Sequence, residues 1–296
     1  MSNEKNSDVG KEEIEHLNDS LEYIVIDMID YGSFGDVLKV KDESNNAIYA
    51  MKQIKYRGNF QDDPCIISEI YCLTHLKHKN IIRMHEILID SGEIQIIMEY
   101  AQRENLERYM DQNEHIEFHH KYKIYSQILE GIKYCHSVDI AHRDITPVNI
   151  LLTEDYVVKI ADFGLAVKCF DDDGKPMLCT DYLGRASYLP PEVLSQKPFL
   201  PKPADIWSIG VTLLYLLFHS IPFKGFHPEI LEDQLNHTWT GFIHDFCEKN
   251  GCRLKVQIID IIESLLQIES NKRRNICDLV RSWHEVSPEE LYDKSK

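Results

Sequence analysis

Residues 142–164 read HRDITPVNILLTEDYVVKIADFG, and the fold is decided by how this stretch is read. Asp144, Asn149 and Asp162 set three oxygen-bearing side chains at fixed intervals, with the two aspartates 18 positions apart. Oxygens of this kind accept protons or ligate hard cations such as Mg2+. At average usage, any one residue type recurs at roughly one position in twenty. His, Arg, Asp and Asn in register, followed by a DFG triplet, are therefore poorly explained by coincidence.

The chain changes character on either side of Tyr100. Before it the pattern is strand-like. Tyr23–Ile29 is β-branched and apolar, a turn follows at Gly32, and further strands are predicted at Val37–Val40, Ile48–Ile54, Met84–Ile89 and Ile94–Glu99. Asn45-Asn46 and Ser91-Gly92 supply turns between them. One helix, about Ile66–Leu76, interrupts the strands. After Tyr100, Ile124, Ile128, Leu129, Ile132 and Cys135 fall on one helical face, and helices are predicted from Ala204 to Trp283. A strand-rich first third and a helix-rich remainder predict an α+β fold of two lobes with a ligand cleft between them.

A chain of 296 residues, 43% hydrophobic, can bury one large core or two modest ones. The net charge of −17 argues against a nucleic-acid-binding surface and fits basic partners, such as a peptide with Arg or Lys near its reactive group. The eight cysteines form no C-x-x-C pair, so neither a zinc site nor a thioredoxin-type motif is indicated. MSNEKNSDVGKEEIEH is polar and acidic, without the apolar region of a signal peptide. The longest apolar run, Ile206–Phe218, falls short of the roughly 20 residues that span a bilayer and reads as a buried helix. These features predict a soluble, monomeric, intracellular protein, cytoplasmic and without membrane contact. Residues 1–20 read as a mobile leader, 21–285 as the folded domain (divided near 99–100) and 286–296 as a polar tail.

The 142–164 stretch resembles the catalytic and metal-binding loops of eukaryotic protein kinases, and other motifs extend the resemblance over about residues 21–285. DYGSFGDV (Asp30–Val37) stands where that family has a glycine-rich loop, with Gly32 and Gly35 at the second and third glycine positions and Asp30 at the first. YAMK ends at Lys52, and Glu69 follows 17 positions later, matching the lysine–glutamate pair that holds nucleotide phosphates. The resemblance implies binding of ATP and Mg2+. Val37 would contact the ATP, Ala50 and Leu151 would sandwich the adenine, Met98 would gate the back of the pocket, and the backbone of Glu99 and Ala101 would read the adenine edge. Asn105 stands where a ribose-contacting acid is common. Asp144 would orient the substrate hydroxyl, while Asn149 and Asp162 would hold Mg2+. His142 reads as a loop-packing residue. Glu192 and Arg273 would form a buried ion pair, and Asp205 would accept bonds from the backbone near His142 and Arg143.

Lys202–Phe223 looks most like calmodulin-dependent and AMP-activated kinases, which implies phosphoryl transfer to Ser or Thr of protein substrates. Tyrosine specificity is disfavoured by Val148. Two departures stand out. Thr146 replaces the lysine usual two residues after the catalytic aspartate, and Arg185 replaces a threonine expected after Gly184. The Arg185 guanidinium is a candidate substitute for the missing ammonium, or else it points to solvent. Asp181 occupies the position where many relatives carry a phosphothreonine. It is expected to satisfy Arg143, with Thr180 beside it as a candidate phosphosite. The rival reading, from Thr146 and Asp30, is a pseudokinase that binds ATP with little turnover. Three acids in FDDDGKP (Phe170–Pro176) read as a solvated loop.

Overall fold

The β-branched run that opens the N-terminal third forms strand β1 (Tyr23–Gly32) and turns back through Gly32 and Gly35 into β2 (Gly35–Asp42). In this computed structural model the described residues are 23–32, 35–90, 92–113, 115–236, 239–249 and 254–288. The leader expected at 1–20, Ser33 and Phe34 of the glycine turn, Ser91, Cys252, and residues 289–296 of the expected tail lie outside them. With β3 (Ile48–Lys55), β4 (Met84–Asp90) and β5 (Glu93–Glu99), the strands make an antiparallel sheet in the order β1-β2-β3-β5-β4. β2 extends beyond the predicted Val37–Val40 because pairing continues to the hairpin tip, where Gly32 lies opposite Gly35. The β2–β3 turn has Asn46 in the left-handed region (φ 61°), which asparagine tolerates. Asp42 fixes this turn by accepting bonds from Ser44 N–H (2.8 Å) and Asn45 Nδ2 (2.7 Å).

Helix α1 (Pro64–His75) lies against the sheet. Asp63 caps it, accepting from Cys65 N–H and Ile66 N–H, and Pro64 occupies the first turn, where its missing N–H costs nothing. Its buried face carries Ile66, Ile70, Cys72 and Leu73, and one carboxylate, Glu69.

The larger lobe holds α2 (Leu106–Gln112), α3 (Phe118–Ser137), α4 (Pro191–Leu194), α5 (Pro201–Phe218), α6 (His227–Asn236), α7 (Trp239–Lys249), α8 (Val256–Leu265) and α9 (Ile276–His284). Every residue of α5 from Ala204 to Leu217 is buried, as its unbroken apolar run requires. Trp283 of α9 stacks on Tyr122 of α3 (5.1 Å between rings) and donates Nε1–H to Ser126 Oγ at 2.9 Å. Two small ladders, β6 (Ile140–Ala141) with β9 (Val167–Lys168) and β7 (Ile150–Leu152) with β8 (Val158–Ile160), carry the 142–164 stretch. The lobes share one apolar core. They are also joined by backbone bonds from Ile82 N–H to the Ile160 carbonyl and from Ile160 N–H to the Asn80 carbonyl, both 2.9 Å. Among the described residues, no helix is long and apolar enough to cross a membrane.

Candidate active site

Lys52 sits on β3 and is itself buried, so its ammonium can persist only if carboxylates meet it there. Glu69 Oε1 of α1 lies 3.3 Å from Nζ and Asp162 Oδ1 lies 2.9 Å away. Burial works against the charged lysine, but Glu69 and Asp162 outweigh it and hold Lys52 above the usual lysine range. Burial pushes the Glu69 carboxyl up to about 7, against the pull of Lys52. Asp162 is half-buried, which opposes its charge, yet Lys52 draws it below the ordinary aspartate range. One ammonium thus serves two carboxylates. The second Glu69 oxygen is buried with no hydrogen-bond partner.

The loop bearing Asp162 is fastened to α1 through Ser68, whose one hydroxyl proton is shared between the carbonyls of Phe163 (2.9 Å) and Ala166 (2.6 Å). Asp162 itself has φ 64° and Arg143 has φ 67°. Such backbones cost about 1–3 kcal/mol each for residues with a Cβ. Asp205 of α5 stabilises the second of these, accepting from His142 N–H (2.9 Å), Arg143 N–H (2.7 Å) and the His136 ring (2.8 Å). His142 is fully buried. Its Nδ1 accepts from Asp144 N–H (3.2 Å), its Nε2 meets the Ala161 carbonyl (3.1 Å), and its ring lies against Phe163. With Nδ1 as acceptor, Nε2 carries the proton and the ring packs the loop as a neutral group.

Asp144 and Asn149 are joined directly. The Asn149 amide donates to Asp144 Oδ2 at 2.7 Å and to the Asp144 carbonyl at 2.9 Å, leaving its amide oxygen as the atom suited to a cation. Asp144 Oδ1 is buried and unpartnered. Burial raises the Asp144 pKa, opposed by the bond from Asn149 and by Arg185. Gly184 (φ 102°) brings the later loop over this carboxylate. A Cβ there would stand 3.3 Å from the Arg143 carbonyl and 3.6 Å from Asp144 Oδ1.

Between the lobes lies a cleft of about 940 Å³ of atom-free space, part of it open to solvent. Val37, Ala50, Met98 and Leu151 form apolar walls, and Glu99 and Ala101 edge it, while Lys52, Asn149 and Asp162 stand at its polar end. Gly35 lines the cleft and Gly32 does not. Gly35 has a further reason to be glycine: a Cβ at its φ of 132° would lie 2.1 Å from the Gln53 carbonyl oxygen. The Glu99 side chain turns elsewhere, accepting from Arg83 N–H and pairing with Lys159 Nζ, both at 2.8 Å. Asn105 also lines the cleft, and its side-chain oxygen caps α2 by accepting Arg108 N–H at 2.9 Å. A second cleft continues past Asp144 and is lined by Glu107, Arg108, Leu183, Gly184 and Arg185.

Of the remaining predicted residues, Arg143 Nη2 meets Asp181 Oδ2 at 2.5 Å, and Thr180 is exposed beside it. Cys179 pairs with Phe199 through two backbone bonds and anchors this segment. Arg185 is exposed and forms no ion pair with a described residue. Thr146 is buried, its hydroxyl unpartnered. Glu192 and Arg273 form a two-pronged pair at 2.6 and 2.7 Å. The acids of FDDDGKP serve their own turn, where Asp171 Oδ1 accepts Asp173 N–H and Lys175 N–H. Sequence reasoning missed Arg108, which reaches back to Asp30 and Ile29 over 78 and 79 positions.

Comparison with protein families matches the protein kinase domain over residues 23–284. Among curated proteins, the chain is 30% identical over 265 residues to the human NUAK family SNF1-like kinase 2, covering 88% of this chain and 40% of that protein. It is 32% identical over 215 residues to the mouse testis-specific serine/threonine-protein kinase 1, covering 72% and 57%. To the mouse testis-specific serine/threonine-protein kinase 2 it is 30% identical over 267 residues, covering 88% and 73%. The chain spans about half or less of the length of the first relatives it matches. A lysine held between two carboxylates, an aspartate tied to an asparagine and a matching span this long have one common source: the chain belongs to the protein kinase family.

Proposed function

We propose that residues 21–285 transfer the γ-phosphoryl group of ATP to serine or threonine hydroxyls of protein substrates. The observation that carries this reading is the pairing of two clusters across one cleft: Lys52 with Glu69 and Asp162, and Asp144 with Asn149. The apolar walls suit a purine ring, and Lys52 supplies positive charge for phosphate oxygens. The Asn149 amide oxygen and the Asp162 carboxylate are hard ligands of the kind Mg2+ takes, so these residues fit that ion. When bound, Mg2+ neutralises charge on the phosphates. Asp144, with one oxygen held by Asn149 and the other unpartnered, accepts or orients the hydroxyl proton of the substrate. Family membership supports ATP and Mg2+ as donor and cofactor, and the relatives' names support Ser/Thr specificity. The net charge of −17 and Glu107 in the second cleft favour substrates with Arg or Lys near the acceptor.

Thr146 brings no charge to the site and favours the rival reading of a nucleotide-binding module with weak turnover. Arg185 decides between them. Its guanidinium, in the cleft with Asp144, stands in for the missing lysine. Since one charge-stabilising donor is worth about 10²–10³ when rigidly placed, an exposed arginine should be worth about tenfold. Arg185→Ala therefore lowers the transfer rate about tenfold with nucleotide affinity nearly unchanged; equal losses in both would show that Arg185 has no part in transfer.

Asp181 supplies the negative charge for Arg143. Asp181→Ala leaves a nearly buried guanidinium unpaired, at a cost on the order of 1–3 kcal/mol to the active arrangement. Basal activity accordingly falls several-fold in that variant, and phosphatase treatment of the unaltered protein has little effect. The reverse pattern, with activity lost to phosphatase and retained in Asp181→Ala, contradicts it.

A further inference from the structure

Arg108 is placed to act on the nucleotide cleft without belonging to the catalytic set. It lies on α2 in the larger lobe, and its guanidinium reaches across the cleft mouth to the end of β1. Nη1 donates to the Ile29 carbonyl at 3.1 Å and Nη2 meets Asp30 Oδ1 at 3.4 Å. Glu104 Oε2, in the turn just before α2, lies 3.6 Å from Nη1. The backbone of Arg108 is itself fixed, because its N–H is the one capped by Asn105. On the opposite side, Asp30 Oδ1 also accepts Tyr31 N–H at 2.9 Å, so a single carboxylate oxygen orders the entry to the glycine turn and receives the arginine. Arg108, Asp30 and Ile29 all line the nucleotide cleft.

We propose that Asp30 and Arg108 form a clasp between the lobes that holds the end of β1 at the cleft mouth and slows release of bound nucleotide. Asp30 occupies the place of a glycine that would leave this entry free, and its side chain converts the freedom into an anchor. Ile29 contributes only a carbonyl, so Asp30 is the clasp's charged contact on the β1 side. The residues are positioning residues. The inference rests on the nucleotide-binding reading above, and direct binding measurements separate the failure of one from the failure of the other.

The test is stopped-flow release of N-methylanthraniloyl-ADP, with Mg2+ present, from the unaltered protein and from Arg108→Ala, Arg108→Lys, Asp30→Gly and the double variant. An exposed, charge-assisted pair of this kind predicts a dissociation rate about three- to tenfold faster for Arg108→Ala, and at least twofold faster for Asp30→Gly. The double variant matches Arg108→Ala alone, because residues acting as one unit do not add. Arg108→Lys, which keeps the charge but loses the fork, falls between. High salt speeds release from the unaltered protein toward the Arg108→Ala rate and barely changes that variant. Unchanged release rates overturn the clasp. So does an effect of Arg108→Ala with none of Asp30→Gly, which would mean that the arginine touches the nucleotide itself. Failure of the unaltered protein to bind the nucleotide overturns the underlying reading and the clasp together.

Discussion

Asp144→Asn is expected to lower the rate of phosphoryl transfer by about 10²–10⁴-fold, the range for a positioned proton acceptor. The change is close to isosteric, and the amide oxygen can still receive the Asn149 Nδ2–H that now holds Oδ2 at 2.7 Å. The loop should keep its shape, because its supports lie elsewhere, in Asp205 and the His142 ring. Only the negative charge is lost. An amide cannot take the hydroxyl proton, and the buried, unpartnered oxygen no longer polarises an incoming hydroxyl. Nucleotide affinity, set across the cleft by Lys52 and the apolar walls, should change less than twofold or threefold. Initial rates at saturating substrates, together with nucleotide titrations, check both parts. A variant that transfers phosphate at the parental rate would remove Asp144 from the chemistry.

The largest effect on stability is expected at Arg273. Its side chain is 0% exposed, and all five guanidinium hydrogens have acceptors: both Glu192 oxygens and the carbonyls of Pro203, Gln267 and Ile268. The guanidinium also lies over the Trp207 ring at 5.1 Å. Arg273→Ala leaves the Glu192 carboxylate, 15% exposed, without its partner and frees three carbonyls. Breaking a buried pair from one side costs about 3–5 kcal/mol. In a domain of this size each kcal/mol lowers the unfolding midpoint by roughly 2–4 °C. Arg273→Lys should recover only part of the loss, because an ammonium cannot span both carboxylate oxygens. Thermal or denaturant unfolding gives the answer directly. A midpoint unchanged in Arg273→Ala would show that the pair contributes little to the fold.

Much of the fold could be read from local pattern. β1 to β5 and α1 announce themselves through β-branched runs, turn residues and a Pro-led helix start, and α5 through its unbroken apolar run. Glu192–Arg273 and the Asp205 bonds were expected from motif position and are present in the geometry. The sheet's ends were drawn too short because hairpin pairing carries hydrogen bonds past the apolar residues, as at Gly32 and Gly35. Side-chain destinations were less legible. The cap that Asn105 makes on α2 went unread, although an asparagine preceding a helix meets its nearest unsatisfied N–H first. The Glu99 side chain pairs with Lys159, 60 positions on, a partner that no local pattern names. The Arg108 bridge depends on two lobes closing over one another, which no local spacing encodes.

The central claim is phosphoryl transfer to protein hydroxyls, and one measurement tests it most directly. The purified protein is incubated with γ-labelled ATP, Mg2+ and a peptide array bearing Ser, Thr or Tyr acceptors with basic neighbours, beside Asp144→Asn. The account predicts label on serine and threonine peptides well above that variant, with phosphoserine and phosphothreonine recovered on hydrolysis. Labelling no greater than that of Asp144→Asn, from a protein that still binds nucleotide, would contradict it and leave a nucleotide-binding module in its place.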